Sequence, residues 1–169
     1  MTTTAEPTTP TLEVGKARTR KEDARLITGR TKWTDNITLN GMLHIVMVRS
    51  PVAHGTITGV DVAEAKKMPG VVAVYTGADL DGEQSALPCA WPINGEATPP
   101  RHVSIAVDKV NFAGEIVAVV VARSVAEAKD ASEAVEVDIE PLDPVLDMVA
   151  AVTDSSPVIH SDLGTNAWV

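Results

Sequence analysis

Cysteine is nearly absent from this chain of 169 residues: Cys89 stands alone. A single thiol closes no intramolecular disulfide. Nor can it supply the four thiolates of an all-cysteine zinc or iron–sulfur site. Scarce cysteine fits a reducing compartment. Aromatic residues make up only 3% of the chain, so the core must be built from Val, Ala, Ile and Leu. So few rings offer no stacking platform for single-stranded nucleic acid. Positive charge is also short, with 14 Lys and Arg against 23 Asp and Glu and a formal net charge of −9. That balance excludes a broad phosphate-binding surface, and no nucleic-acid partner is expected. No apolar run approaches the roughly 20 residues of a membrane span, so no membrane insertion is expected. Met1–Thr11 is rich in Thr and Pro and lacks the apolar core of a signal peptide. The expectation is a cytoplasmic location and a disordered tail over residues 1–13.

Nucleotide, metalloprotease and hydrolase signatures are missing too. There is no Walker-type loop, no GxGxxG after a strand, no HExxH and no GxSxG. The histidines, His44, His54, His102 and His160, are far apart and none has metal-ligand spacing. His54 lies in a turn before a strand and reads as a structural hydrogen-bonding residue. Cys89, between Pro88 and Trp91-Pro92, has nothing basic nearby to lower its pKa and reads as an inert loop thiol. Glu115 follows Gly114 and reads as an exposed carboxylate at a strand end. Spacing singles out no catalytic, cofactor-binding or metal-binding residue.

What is present is unevenly distributed. Residues 1–32 carry seven positive side chains (Lys16, Arg18, Arg20, Lys21, Arg25, Arg30, Lys32) against four negative ones, whereas the remainder carries seven against 19. A basic arm thus precedes an acidic body. It either folds back on its own domain or docks on another acidic surface.

The body alternates strand and helix signals. Met42–Val48, apolar apart from His44, reads as a strand buried on both faces, ended by Ser50-Pro51. Thr56–Val60 is β-prone, with Gly59 placed for a bulge. Asp61-Val62-Ala63-Glu64 reads as a capping box opening a short helix through Met68, stopped by Pro69-Gly70. Val71–Tyr75 reads as a second buried strand. Ile116–Ala122, an unbroken apolar run, reads as the central strand. Ser124-Val125-Ala126-Glu127 is a second capping box, for a helix to about Ala134. Val135, Val137 and Ile139 alternate with acidic residues as a half-buried strand.

The pentapeptide Val62–Lys66 recurs as Val125–Lys129, 63 residues on. Duplication and a coincidence of good helix formers both explain it. The pattern predicts two strand–helix–strand units, each close to the shortest crossover that joins parallel strands, with right-handed connections. Asp143-Pro144 predicts a third helix with an apolar stripe of Leu146, Val149 and Ala150.

Between the two units, Gly77–Pro100 has four prolines, Cys89 and no clear period. So long a connection is a functional lid or a surface for a partner. After Pro157 the chain shows turn signals up to Ala167-Trp168-Val169, read as a frayed tail or as a segment that pairs with other polypeptide.

Several segments together resemble molybdenum hydroxylase large subunits, the family of xanthine dehydrogenase, aldehyde oxidoreductase and aerobic carbon monoxide dehydrogenase. Gly15–Asp35, with Arg18–Asp23 and Thr28–Asp35, resembles their opening segment. Val48-Arg49-Ser50-Pro51-Val52-Ala53-His54-Gly55-Thr56-Ile57 is similar to their RSPxAHxxI signature. Asp61–Val71 resembles their helix with its Pro-Gly-Val stop. Val110–Val120, with Gly114 and Glu115, resembles their GxxVAVVVA strand. Glu133–Pro144 resembles a further segment, with Ile139 where the family usually has Tyr. The match runs in order over roughly residues 14–160.

This resemblance implies an α/β fold of the α+β mixed-sheet kind, the N-terminal a/b hammerhead domain. It implies boundaries at 1–13 for the tail, 14–36 for the basic arm, 37–153 for the hammerhead and 154–169 for an extension towards further domains. It also implies that the chemistry lies elsewhere. Molybdopterin (as the cytosine dinucleotide), 2Fe-2S clusters and FAD would belong to the assembly and not to this chain. The partners would be the remaining large-subunit domains, an FAD-binding medium subunit and a 2Fe-2S small subunit. The whole enzyme would hydroxylate its substrate with oxygen from water and pass electrons through Fe-S clusters to FAD. Gly55 and the short middle loop lean towards the carbon monoxide dehydrogenase-like group. Cys89 does not match that group's copper-binding loop. A stand-alone, non-catalytic interaction module of the same fold is the alternative. A small hydrolase or binding protein with a site in the 77–100 loop is a weaker one.

Overall fold

The computed structural model describes residues 14–88 and 100–167, so Cys89, Trp91 and Trp168 lie outside the described residues. The chain divides into two units, residues 1–40 and 41–169.

In the first unit, helix α1 (Asp23–Ile27) is a single turn, anchored by the Asp23 carboxylate, which accepts from Arg20 N–H at 3.2 Å and from its Nε–H at 3.0 Å. A 3-10 turn follows at Thr34–Asn36, where Asn36 Oδ1 accepts from Trp33 N–H at 3.2 Å. No residue from 14 to 40 is buried, so this segment has no core of its own.

The second unit holds strands β1 (His44–Arg49), β2 (Gly55–Asp61), β3 (Val71–Thr76), β4 (Lys109–Val110), β5 (Ile116–Ala122) and β6 (Glu136–Pro141), with helix α2 (Val125–Glu133). They form two three-stranded sheets, ordered β1-β5-β3 and β4-β2-β6. Every pairing is antiparallel. The expected parallel units are therefore corrected. Each strand–turn or strand–helix connection is present in chain order, but β2 to β3 and β5 to β6 both step from one sheet to the other. The β2–β3 link is too short for a crossover. β5 already has β1 and β3 on its two sides, which leaves β6 no edge there.

Other expectations shift as well. β1 and β3 are edge strands, and their residues alternate between covered and exposed instead of being buried on both faces. The first capping box yields only a 3-10 turn at Ala65–Lys67: Asp61 Oδ1 accepts from Ala63 N–H at 2.8 Å, while Glu64 pairs with Lys67 at 2.7 Å. Pro69-Gly70 follows too soon for a helix to propagate. The identical pentapeptide at Val125–Lys129 is α-helical, because Ser124 is an extended N-cap that accepts from Glu127 N–H at 3.2 Å and nine residues continue without a breaker. The third helix does not form. Asp147, not Asp143, caps the segment through Val149 and Ala150 N–H at 2.7 and 2.9 Å, and only a 3-10 turn at Ala150–Val152 results. Leu146 and Val149 stay exposed, so no burial offsets the cost of nucleating a helix. The Gly59 bulge falls where expected, as a register shift between Ile57 and Gly59.

Two cores result. Ala65, Val74, Val120, Ala122, Ala128 and Ala131 lie between α2 and the β1-β5-β3 sheet, and Ala106, Val110 and Val117 pack with Ile57, Val137 and Ile139 of the second sheet. Small side chains let helix and sheet approach closely, as the aromatic shortage requires. Among the described residues no helix is long and apolar enough to cross a membrane.

Candidate functional site

The turn after β1 and the turn before β5 meet, and the polar residues of both signature segments converge there. Ser50, His54 and Glu115 are all buried. A serine, a histidine and a carboxylate invite a catalytic reading. Their hydrogen bonds argue for a different role. Ser50 Oγ donates to Val52 O at 2.8 Å and accepts from Val52 N–H at 3.2 Å, closing the turn at Pro51. His54 Nδ1 lies 2.8 Å from Val110 O, so that nitrogen carries the proton and donates. Glu115 Oε2 accepts from Asn111 N–H at 2.5 Å. Each group is directed at main chain, and none of these bonds links one of the three to another.

The main chain completes the clasp. Ser50 N–H donates to Glu115 O at 2.8 Å, Gly114 N–H to Ser50 O at 2.9 Å, and Arg49 Nη1 to Gly114 O at 2.7 Å. Gly114 sits at φ +86°, the left-handed region that the third position of this turn demands, closed by Glu115 N–H on Phe112 O at 3.2 Å. Leu142 N–H donates to His54 O at 2.9 Å, tying the end of β6 to the same knot. The sequence expectation for His54 therefore agrees with its place. That for Glu115 is corrected: the carboxylate is 5% exposed because it folds back over its own turn.

Glu115 also lines a polar cleft of about 220 Å³, with Arg101, Asp108, Lys109, His160 and Asp162. Side chains of both signs line it. His102 stacks on Phe112 with centroids 5.4 Å apart, and His44 opens β1. Among the described residues, no three His, Cys, Asp or Glu side chains form a set that could hold a metal ion.

The long middle segment is built on a stem. A Cβ on Gly77 would overlap Ala106 O and come within 2.6 Å of its carbonyl carbon, so the two backbones are in contact. Gln84 then mimics a strand, donating from Nε2 to Ile105 O at 2.9 Å and accepting from Ile105 N–H at 3.1 Å. Leu87 N–H donates to His102 O at 2.7 Å. Asp79 closes the start of the stem, accepting from Thr76 N–H and Oγ1–H at 2.8 Å each. These two bonds hold its carboxyl below the ordinary value, with Lys66 adding a lesser attraction. Asn166 organises the last segment, accepting from Ile159 N–H at 2.9 Å and donating to Pro157 O at 2.7 Å. Gln84 and Asn166 escaped the sequence reading, since a lone amide carries no local pattern.

Comparison with known proteins agrees with this geometry. Residues 28–143 match the family described as aldehyde oxidase and xanthine dehydrogenase, a/b hammerhead domain. The chain is 40% identical over 156 residues to the nicotine 6-hydroxylase large subunit of Paenarthrobacter nicotinovorans, covering 92% of this chain and 19% of that one. It is 39% identical over 145 residues to the carbon monoxide dehydrogenase large chain of Hydrogenophaga pseudoflava, covering 85% of this chain and 17% of the other. The solved quinoline 2-oxidoreductase of Pseudomonas putida 86 superposes with a TM-score of 0.77 at 38% identity, over 90% of this chain and 19% of that one. The chain spans about a fifth of the length of the curated relatives it matches. Its signature residues are those of the clasp, and by the match and the fold together the chain belongs to the aldehyde oxidase and xanthine dehydrogenase a/b hammerhead family.

Proposed function

We propose that this chain is the structural hammerhead domain of a molybdenum hydroxylase large subunit, a part of an oxidoreductase that carries no redox centre itself. Residues 14–36 act as a basic docking arm, 37–153 as the hammerhead and 154–169 as an extension towards the cofactor-bearing domains. The assembly uses molybdopterin, 2Fe-2S clusters and FAD held by its other domains and subunits, in the cytoplasm. The substrate is hydroxylated there with oxygen from water.

The observation that carries this reading is where the polar signature residues spend their hydrogen bonds. Arg49, Ser50, His54 and Glu115 are each bonded to main chain, which suits a brace. The test is to express the chain alone and within the complete large subunit with its partner subunits, and to follow dye reduction with carbon monoxide, purines and aldehydes. Activity appears only in the assembly. Turnover by the isolated chain, or stoichiometric molybdenum in it, overturns the proposal.

A further inference from the structure

The β1-β5-β3 sheet carries apolar residues on both faces, and among the described residues of this unit α2 and its neighbours cover only one. The opposite face carries two cross-strand rows, Ile45–Val121–Ala73 and Met47–Val119–Tyr75, set by the antiparallel registers. Neither row contains a charged residue. Ile45 is 60% exposed, Met47 47% and Tyr75 45%, while Ala73, Val119 and Val121 are half-buried. Antiparallel sheets that face water usually alternate apolar with polar residues; runs without alternation belong to strands covered on both sides. The sequence of β5 is of the second kind, and the apolar residues of β1 and β3 extend the pattern across the sheet.

The size of the face narrows what covers it. Three strands about 4.8 Å apart and two rows about 6.8 Å apart give a patch of about 200 Å². A free-standing complex needs about 800 Å² on each partner, which this patch alone does not offer a second copy of the chain. A patch of this size suits packing within one continuous polypeptide, where the covalent link raises the effective concentration. The matched relatives supply such polypeptide, for this chain spans only 17–19% of the first two.

We propose that this open face seats an apolar, uncharged element from the polypeptide that continues the large subunit, making β1-β5-β3 an interior sheet of the assembled protein. The inference rests on the hammerhead reading above.

The experiment compares Ile45→Lys and Met47→Lys with a control, Ala126→Lys on the exposed side of α2. Each is made both in the 169-residue chain and in the full large subunit co-expressed with its partner subunits. In the short chain all three keep the thermal midpoint within about 2 °C, because the new ammonium stays in water. In the full subunit the two face variants lower the yield of assembled, molybdenum-containing protein at least about tenfold, since they bury an unpaired charge. The control leaves that yield unchanged. Face variants that assemble like wild type overturn the proposal. So does a sedimentation profile in which the short chain is a dimer that Met47→Lys dissociates, because a second copy is then the occupant. A wild-type large subunit without molybdenum overturns the hammerhead reading itself and this proposal with it, and that result appears before any substitution is made.

Discussion

The guanidinium of Arg49 donates to the carbonyl oxygen of Gly114 at 2.7 Å, across 65 residues of sequence. Arg49 ends β1 and Gly114 sits in the turn that opens β5. The bond lies beside the register shift at Val48/Arg49, where the β1–β5 ladder breaks. It takes over where main-chain pairing stops. Around it Ser50 N–H donates to Glu115 O, and Ser50 O accepts from Gly114 N–H. The family signatures, far apart in sequence, are in three dimensions the two halves of one fastening.

Glu115 tests that fastening. Glu115→Ala leaves the partly buried Asn111 N–H without its acceptor, at a cost of about 2 kcal/mol and a fall in midpoint of about 4–8 °C. Glu115→Gln keeps a carbonyl oxygen for the same bond and loses less than half as much. Equal losses for the two, measured by thermal unfolding, would show that charge and not the bond is what matters.

His54→Ala strips Val110 O of its buried donor and removes packing beside β4. The expected destabilisation is about 2–3 kcal/mol, read as a lower urea midpoint at an unchanged m-value. In contrast, Cys89→Ser in the full enzyme leaves turnover unchanged.

Gly77→Ala sets a methyl group against the Ala106 backbone at the base of the stem. Its φ of −57° suits any residue, so the cost comes from overlap alone. Overpacking against main chain costs about 3 kcal/mol, and limited proteolysis of the variant should cut first within the 77–106 segment. A variant as resistant as wild type would mean that the two backbones separate freely.

Asp79 makes stability pH-dependent on the acid side. Its carboxyl is held below the ordinary value by the Thr76 hydrogen bonds. A depressed native pKa stabilises the fold fully above the unfolded value of about 4, and that contribution is lost as pH falls through the native pKa. Asp79→Asn therefore lowers the midpoint at pH 7 and flattens its decline below about pH 4. The side chain is exposed, so the effect is under about 1 kcal/mol. Identical slopes for wild type and variant in a pH series of melts would count against it.

Local pattern was a good guide to elements and a poor one to their partners. The valine run of Ile116–Ala122 announced the central strand, and Ser124 with Glu127 announced α2, because caps and apolar runs act within a few residues. Val62–Lys66 and Val125–Lys129 share every side chain and differ in structure, since Pro69-Gly70 ends one early and the other runs on to Glu133 without a breaker. Glu115 was misjudged because its acceptor role depends on how its own turn folds back. The Asp143-Pro144 helix was misjudged because no surface among the described residues covers Leu146 and Val149.

Composition and pattern by themselves determined an aliphatic core, six short elements of known type and the family signatures, all of which follow from covalent neighbours. Tertiary structure alone decided that the strands pair antiparallel in two sheets, that Arg49 and Glu115 act as fasteners, and that one apolar sheet face is left uncovered among the described residues of its unit. Those outcomes depend on which edges and main-chain groups are still unsatisfied once the other elements are in place. Such competition between distant segments leaves no trace in a local window of sequence.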